Sequence, residues 1–185
     1  RDAAPSGPAM VRFFQADESL GAVDVYLDGD PTPVFANISY LDGSAYTELP
    51  SGATALRVLP AGAALSEPAL FEISNLQIGA GRAHSCLLYP ADGETPRLTL
   101  VIDDQSPIDS GRIRIRPIHL ARGGTVDFYQ TRQAGNPIPL AADLIPGAPS
   151  NQPSSLSAGS FEFGIALSSS IGAEVMPDFA FRFIT

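Results

Sequence analysis

The stretch Val23-Asp24-Val25-Tyr26-Leu27-Asp28-Gly29 decides how this chain is read. Val23, Val25 and Leu27 alternate with Asp24, Tyr26 and Asp28, so a strand through them has one apolar face and one wetter face. Asp28-Gly29 then supplies two residues that tolerate positive φ in a tight turn. The pattern returns as Val126-Asp127-Phe128-Tyr129. Upstream, Val11-Arg12-Phe13 matches Ile113-Arg114-Ile115; downstream, Leu49-Pro50-Ser51-Gly52 matches Leu156-Ser157-Ala158-Gly159. Matches in one order mark an internal repeat.

Outward from these motifs the alternation continues. Leu56 and Val58 flank Arg57, Phe71 and Ile73 flank Glu72, and Leu98, Leu100 and Ile102 alternate with Thr99 and Val101. Phe161 with Phe163, and Phe179 with Phe181 and Phe183, close the series. Asp42-Gly43 and Asp92-Gly93 read as turns like Asp28-Gly29. The 17 Gly and 17 Pro are spread so evenly that helices of ordinary length have little room. Hydrophobic residues at 44% with charged residues at 17% support a packed core. The expectation is an all-β chain of two tandem immunoglobulin-like antiparallel β-sandwich units, the second shorter. The boundaries are a flexible N-terminal spacer at 1–9, unit 1 at 10–104, a linker at 105–110 and unit 2 at 111–185. After the Leu-x-x-Gly match, unit 2 has room for only one strand beyond Phe161–Leu167, which is Phe179–Thr185. That leaves an edge to be covered by unit 1, by a second copy or by residues beyond Thr185.

The formal net charge of −9 argues against a nucleic-acid partner, since phosphate binding needs a basic surface. All of the excess lies in 1–104, while 105–185 is balanced. No apolar run approaches a membrane-spanning helix. The single Cys86 excludes an intramolecular disulfide and a multi-cysteine zinc site. The opening Arg1-Asp2-Ala3-Ala4-Pro5-Ser6-Gly7-Pro8 reads as a flexible spacer after a removed leader.

The order of motifs, from an opening strand with Arg12 through Val23–Gly29 and Leu49–Gly52 to Ile102-Asp103-Asp104, resembles the DUF4397 family of bacterial envelope and secreted proteins. The resemblance covers unit 1 almost entirely and unit 2 more weakly, where Gln130-Thr131-Arg132 replaces the Asp-Gly turn. Ala16-Asp17-Glu18-Ser19-Leu20-Gly21 also departs from the family's usual Ala-Ser-Pro-Asp-Ala-Pro. The resemblance implies an extracytoplasmic location (secreted, periplasmic or lipid-anchored) and an architecture, with no settled activity.

Several residues are weighed for chemistry. Asp24 and Asp127 could bind calcium or polarise a substrate, or each could bond a neighbouring turn; the lack of clustered oxygen ligands favours the second reading. Asp28-Gly29-Asp30 begins like a calcium loop, but Pro31-Thr32-Pro33 follows, so an acidic turn is the better reading. His84 and Cys86 share one strand face, as half a metal site or a thiol–imidazole pair would, yet Leu87-Leu88-Tyr89 points to a buried structural cysteine. Arg112, Arg114 and Arg116 share a side and could contact an anionic ligand or cover acidic neighbours. Serine-hydrolase and zinc-protease signatures are absent. No catalytic residue, cofactor or metal is therefore assigned, and Asp24, Asp127, Arg112, Arg114 and Arg116 stand as ligand-contact candidates. The expected function is a non-catalytic extracytoplasmic module acting as scaffold, spacer or ligand-binding and adhesion domain. Its partner would be an envelope polysaccharide, a protein or a second copy through unit 2. The alternative is a carbohydrate-active hydrolase with paired carboxylates in an inter-unit cleft, which requires two acids about 5–10 Å apart.

Overall fold

A computed structural model describes residues 7–91, 93, 95–131, 137–151 and 153–168. The expected strand Phe179–Thr185, the turn residue Asp92, Arg132 and most of the expected spacer lie outside them. The chain divides into two compact units, Arg1–Gln105 and Ser106–Thr185. The described secondary structure is all strand, and no helix among these residues is long and apolar enough to cross a membrane.

Unit 1 holds β1 (Ala9–Gln15), β2 (Val23–Leu27), β3 (Phe35–Ile38), β4 (Thr47–Leu49), β5 (Gly52–Pro60), β6 (Phe71–Ile78), β7 (Ala83–Tyr89) and β8 (Arg97–Asp103). They form two four-stranded sheets, ordered β4-β1-β7-β8 and β3-β2-β5-β6. Between the sheets lies one apolar cluster that includes Val11 and Phe13 from β1, Cys86 and Leu88 from β7, Val23 and Val25 from β2, and Val58 from β5. Phe13 stacks on Phe35 with ring centroids 6.0 Å apart. This is a sandwich in which each strand's apolar alternate faces its partner sheet. Pairing is antiparallel except between β1 and β7, which run parallel from Met10↔Ala83 to Gln15↔Leu88. The sequence alternation fixes which face of a strand is buried and says nothing of its direction.

Two local devices adapt the pattern. In β6, Thr54 pairs with Leu76 but Leu56 pairs with Ile73, so one extra residue keeps Phe71 and Ile73 as well as Leu76 and Ile78 on the core side. The Asp28-Gly29 turn has φ of 50° and 77°, as a turn of that kind requires. At Asp42-Gly43 the positive φ falls instead on Leu41, at 58°. Gly43 serves a different end: it bridges to Phe14, whose ring occupies the space a Cβ would take. Ile102 shares the face of Leu98 and Leu100 in β8 but is 48% exposed and outside the core cluster.

Unit 2 holds β9 (Arg112–Ile115), β10 (Val126–Gln130), β11 (Ile138–Leu144), β12 (Ser154–Ser157) and β13 (Phe163–Leu167). Its pairings, β12-β9 and β11-β10-β13, repeat the order β4-β1 and β3-β2-β5 of unit 1. The register corrects one match read from sequence. Leu49 pairs with Ala9 and Leu156 with Ile113, while Phe14 bridges Gly43 as Ile118 bridges Pro149. Ile115 therefore stands at the place of Val11, and Arg116 at that of Arg12. The core of unit 2 is Val126, Phe128 and Leu144, with Ile115, Phe163 and Ile165 packed against it.

Gly43→Ala is expected to destabilise the protein by about 1–3 kcal/mol, the usual cost of overpacking. Urea unfolding of the variant beside the parent checks this, and an unchanged midpoint would mean that Phe14 moves aside freely.

Candidate functional site

Asp24 sits in β2 on the side opposite the core valines, yet only 6% of it is exposed. Its Oδ1 accepts the Asn37 amide at 2.7 Å, and its Oδ2 accepts the Gly62 amide at 2.8 Å. Asn37 has φ of 53° and marks the extra residue that β3 carries between its pairs Phe35↔Val25 and Ile38↔Val23. Gly62 has φ of 77° in the turn after β5. The carboxylate thus joins two backbone amides that the ladders leave over.

Asp127, 4% exposed in β10, does the same work. Its Oδ1 accepts the Asp143 amide at 2.8 Å and the Ser168 hydroxyl at 2.9 Å. Asp143 also has φ of 53°, and β11 carries an extra residue between Ala141↔Phe128 and Leu144↔Val126. Asp24 therefore commits both oxygens, and Asp127 its Oδ1, to bulges and turns of their own unit. The acidic turn is equally committed. Asp28 accepts the Thr54 hydroxyl and the Ala55 amide, and Asp30 accepts the Thr32 amide. Among the described residues no group of three or more His, Cys, Asp or Glu could hold a metal ion.

The arginines bond within unit 2. Arg112 donates to the Ser155 hydroxyl and carbonyl, Arg114 to the Ser106 and Pro107 carbonyls, and Arg116 to the Ser150 carbonyl. His84 and Cys86 are 2% and 1% exposed on the core face of β7. Burial pushes the Cys86 thiol up to about 12, so it is a protonated core residue and a poor nucleophile. His84 Nε2 lies 3.2 Å from the Gly79 carbonyl, and its buried Nδ1 has no partner among the described residues.

The best-organised polar cluster lies elsewhere, on the outer face of the β4-β1-β7-β8 sheet. The pairing Arg12↔Ser85 sets these two side by side, and Arg12 Nε donates to the Ser85 hydroxyl at 2.9 Å. Ser85 donates in turn to Asp103 Oδ2 at 2.8 Å, which also accepts the Tyr46 phenol at 2.7 Å. Arg12 Nε is 3.9 Å from the same oxygen. Its guanidinium lies over the Tyr46 ring at 4.6 Å and the Phe14 ring at 5.4 Å, both within cation–π range. Burial first, and the bond to Asp103 second, hold the Tyr46 phenol at about 12, so it stays a hydrogen-bond donor. Beside the cluster is an open pocket of about 450 Å³, with Met10, Tyr46, Glu48, Arg82 and Gln105 in its lining. Glu48 and Arg82 bring opposite charges, while Met10, 41% exposed, and the Tyr46 ring bring apolar surface. Such a lining can hold a ligand by hydrogen bonds and ring contact; it pairs no two carboxylates.

Local sequence pattern carries little trace of this cluster. Arg12, Tyr46, Ser85 and Asp103 come from four separated segments and meet only through the register of the sheet. The one available signal was Arg12 between Val11 and Phe13, a charge on the face opposite the core.

Residues 9–129 match a family model described as a domain of unknown function, DUF4397. The match runs from β1 through β10, over unit 1 and into the first strands of unit 2. No curated protein matches the chain.

Asp24→Ala strands two amides and is expected to cost about 2–4 kcal/mol, since bonds to a charged acceptor are worth roughly 1.5–3 kcal/mol each; chemical denaturation measures the loss. Cys86 should react with a thiol reagent only after denaturation, and rapid labelling of the folded protein would contradict its core position.

Proposed function

The chain belongs to the DUF4397 family, and from that premise we propose that it is a non-catalytic β-sandwich module of two tandem family-type units. It works outside the cytoplasm, secreted, periplasmic or lipid-anchored, as a scaffold or spacer that presents a ligand-binding face. One observation carries the reading. The acids that the repeat places most prominently, Asp24 and Asp127, accept bonds from backbone amides and a serine hydroxyl, Asp24 through both oxygens and Asp127 through Oδ1. A general acid or base must reach a substrate proton and switch protonation state; these two carboxylates are buried and already in use. The tandem organisation is supported by the shared strand order and by the two equivalent aspartates.

The ligand-binding face is the Met10–Tyr46–Glu48–Arg82 pocket with the Arg12 cluster beside it. Its mixed charges and ring surface suit a polar polymer, an envelope polysaccharide or an extended protein segment, better than a highly charged ion. Nucleic acid is disfavoured by the net charge of −9.

Incubation with a panel of envelope and plant polysaccharides should release no reducing sugar, while pull-down on the insoluble members should retain the protein in at least one case and lose it with Tyr46→Ala. Sugar release that disappears in Asp24→Asn would replace this reading with the two-carboxylate hydrolase. Fractionation of cells expressing the complete gene checks the compartment: recovery in the envelope or medium is expected, and recovery in the cytoplasm alone would contradict it.

A further inference from the structure

Each unit fastens the loop between its first two strands with a buried polar side chain, but the two side chains differ in chemistry. In unit 1 it is Gln15, 1% exposed, whose Oε1 accepts the Asp17 amide at 2.6 Å. Its Nε2 donates to the Asp17 and Gly21 carbonyls, both at 2.8 Å. In unit 2 it is His119, 6% exposed. The Ala121 amide donates to its Nδ1 at 3.4 Å, and its Nε2 donates to the Gly124 carbonyl at 3.1 Å.

The backbone makes the two positions equivalent. The Gln15 carbonyl accepts the Leu41 amide at 2.8 Å, as the His119 carbonyl accepts the Gly147 amide at 2.7 Å. Two residues earlier, Phe13 bonds Ser44 and Pro117 bonds Ser150, each through a carbonyl at 2.9 Å. Glutamine and histidine thus fill one slot with one acceptor and one donor: the acceptor takes the amide two residues on, and the donor reaches the far end of the loop.

The slot dictates the state of the ring. A backbone amide can only donate, so Nδ1 carries the lone pair and Nε2 the proton, which is the neutral imidazole. From these contacts we infer that His119 is an acid-sensitive latch on the loop entering β10, the counterpart of an acid-insensitive latch made by Gln15 in unit 1. A proton added at Nδ1 would set an N–H against the Ala121 N–H and place a charge in a buried slot. The glutamine amide has no such second state.

Burial lowers the pKa of His119 from its usual 6.5, and the bond to Gly124 opposes that shift only in part. The folded value lies below the unfolded one. The latch therefore contributes its full stability above about pH 6.5, and that contribution is lost as pH falls through the lowered value. Among the described residues, the charged groups on the adjoining segments are Arg122, exposed in the loop; Arg116, whose Nε donates to the Ser150 carbonyl; and Asp127 in β10, held by Asp143 and Ser168. None of them is among the causes of the shift, which are burial and the Gly124 bond. Release of the loop would loosen the start of β10, where the Thr125 carbonyl accepts the Ser168 amide and Asp127 holds its bulge.

The experiment is a ¹⁵N NMR titration of the whole chain between about pH 7.5 and about pH 4.5, spanning the range in which a histidine titrates. The Ala121 amide is expected to shift along the same curve as the His119 ring, with a midpoint below 6.5. The Asp17 amide, on the glutamine latch, should not follow that curve. In His119→Gln the fold should persist and the Ala121 shift on that curve should vanish; in Gln15→His a titrating shift should appear at Asp17. An Ala121 amide that ignores the His119 titration in the parent protein would overturn the inference. So would a His119→Gln variant that fails to fold, since glutamine serves in the equivalent slot of unit 1.

Discussion

One carboxylate with two backbone amides, Asp24 with Asn37 and Gly62, sets the terms for the sheet around it. A bulged strand and a tight turn both leave N–H groups that no ladder can pair, and a buried unpaired N–H costs as much as a lost hydrogen bond. Both amides belong to residues with positive φ, where asparagine and glycine are least penalised. A charged acceptor from the central strand answers both, so β3 and the turn after β5 are held to β2 by more than their ladders. In unit 2 the same solution recurs with Asp127, Asp143 and Ser168. The recurrence of Asp in Val-Asp-Val-Tyr and Val-Asp-Phe-Tyr then has a physical cause: remove the acid and the bulge that sets the edge strand's register loses its anchor.

This bears on what the protein can do. An acid that is conspicuous in a sequence invites a chemical role, but an acid that accepts bonds from its own backbone has little capacity left for a substrate. The other sheet carries a second polar cluster, in which Arg12, Tyr46, Ser85 and Asp103 bond to one another beside the Met10–Glu48–Arg82 pocket. A network already satisfied in this way is stiff. It holds the Tyr46 ring in one place at the edge of the pocket.

Much of the fold was legible in the sequence because alternation is a direct record of which face is buried. Val23–Leu27, Arg97–Asp103 and Val126–Gln130 are strands where that pattern ran. Phe35–Ile38, Thr47–Leu49 and Ser154–Ser157 have no legible pattern because three or four residues give too few alternations, and Ile138–Leu144 has none because Pro139 argues against a strand and finds a place at the edge of the described sheet. The parallel pairing of β1 with β7 has no local signature at all, since direction is settled by how distant segments meet. The candidate site shows the same division. Asp24 and Asp127 stood out because they repeat, and their role as clamps depends on bulges that no short pattern announces. The Arg12 cluster and the glutamine–histidine exchange at 15 and 119 are facts of register, visible only once the sheets are built.

Amide hydrogen exchange on Asp24→Asn beside the parent protein tests the central claim most directly, because it reads the two clamped amides themselves. If the carboxylate anchors the bulge and the turn, protection should fall sharply at Asn37 and Gly62 and spread into β3, while the β1–β7 ladder keeps its protection. Unchanged protection at Asn37 and Gly62 would contradict the account and return Asp24 to the candidates for chemistry.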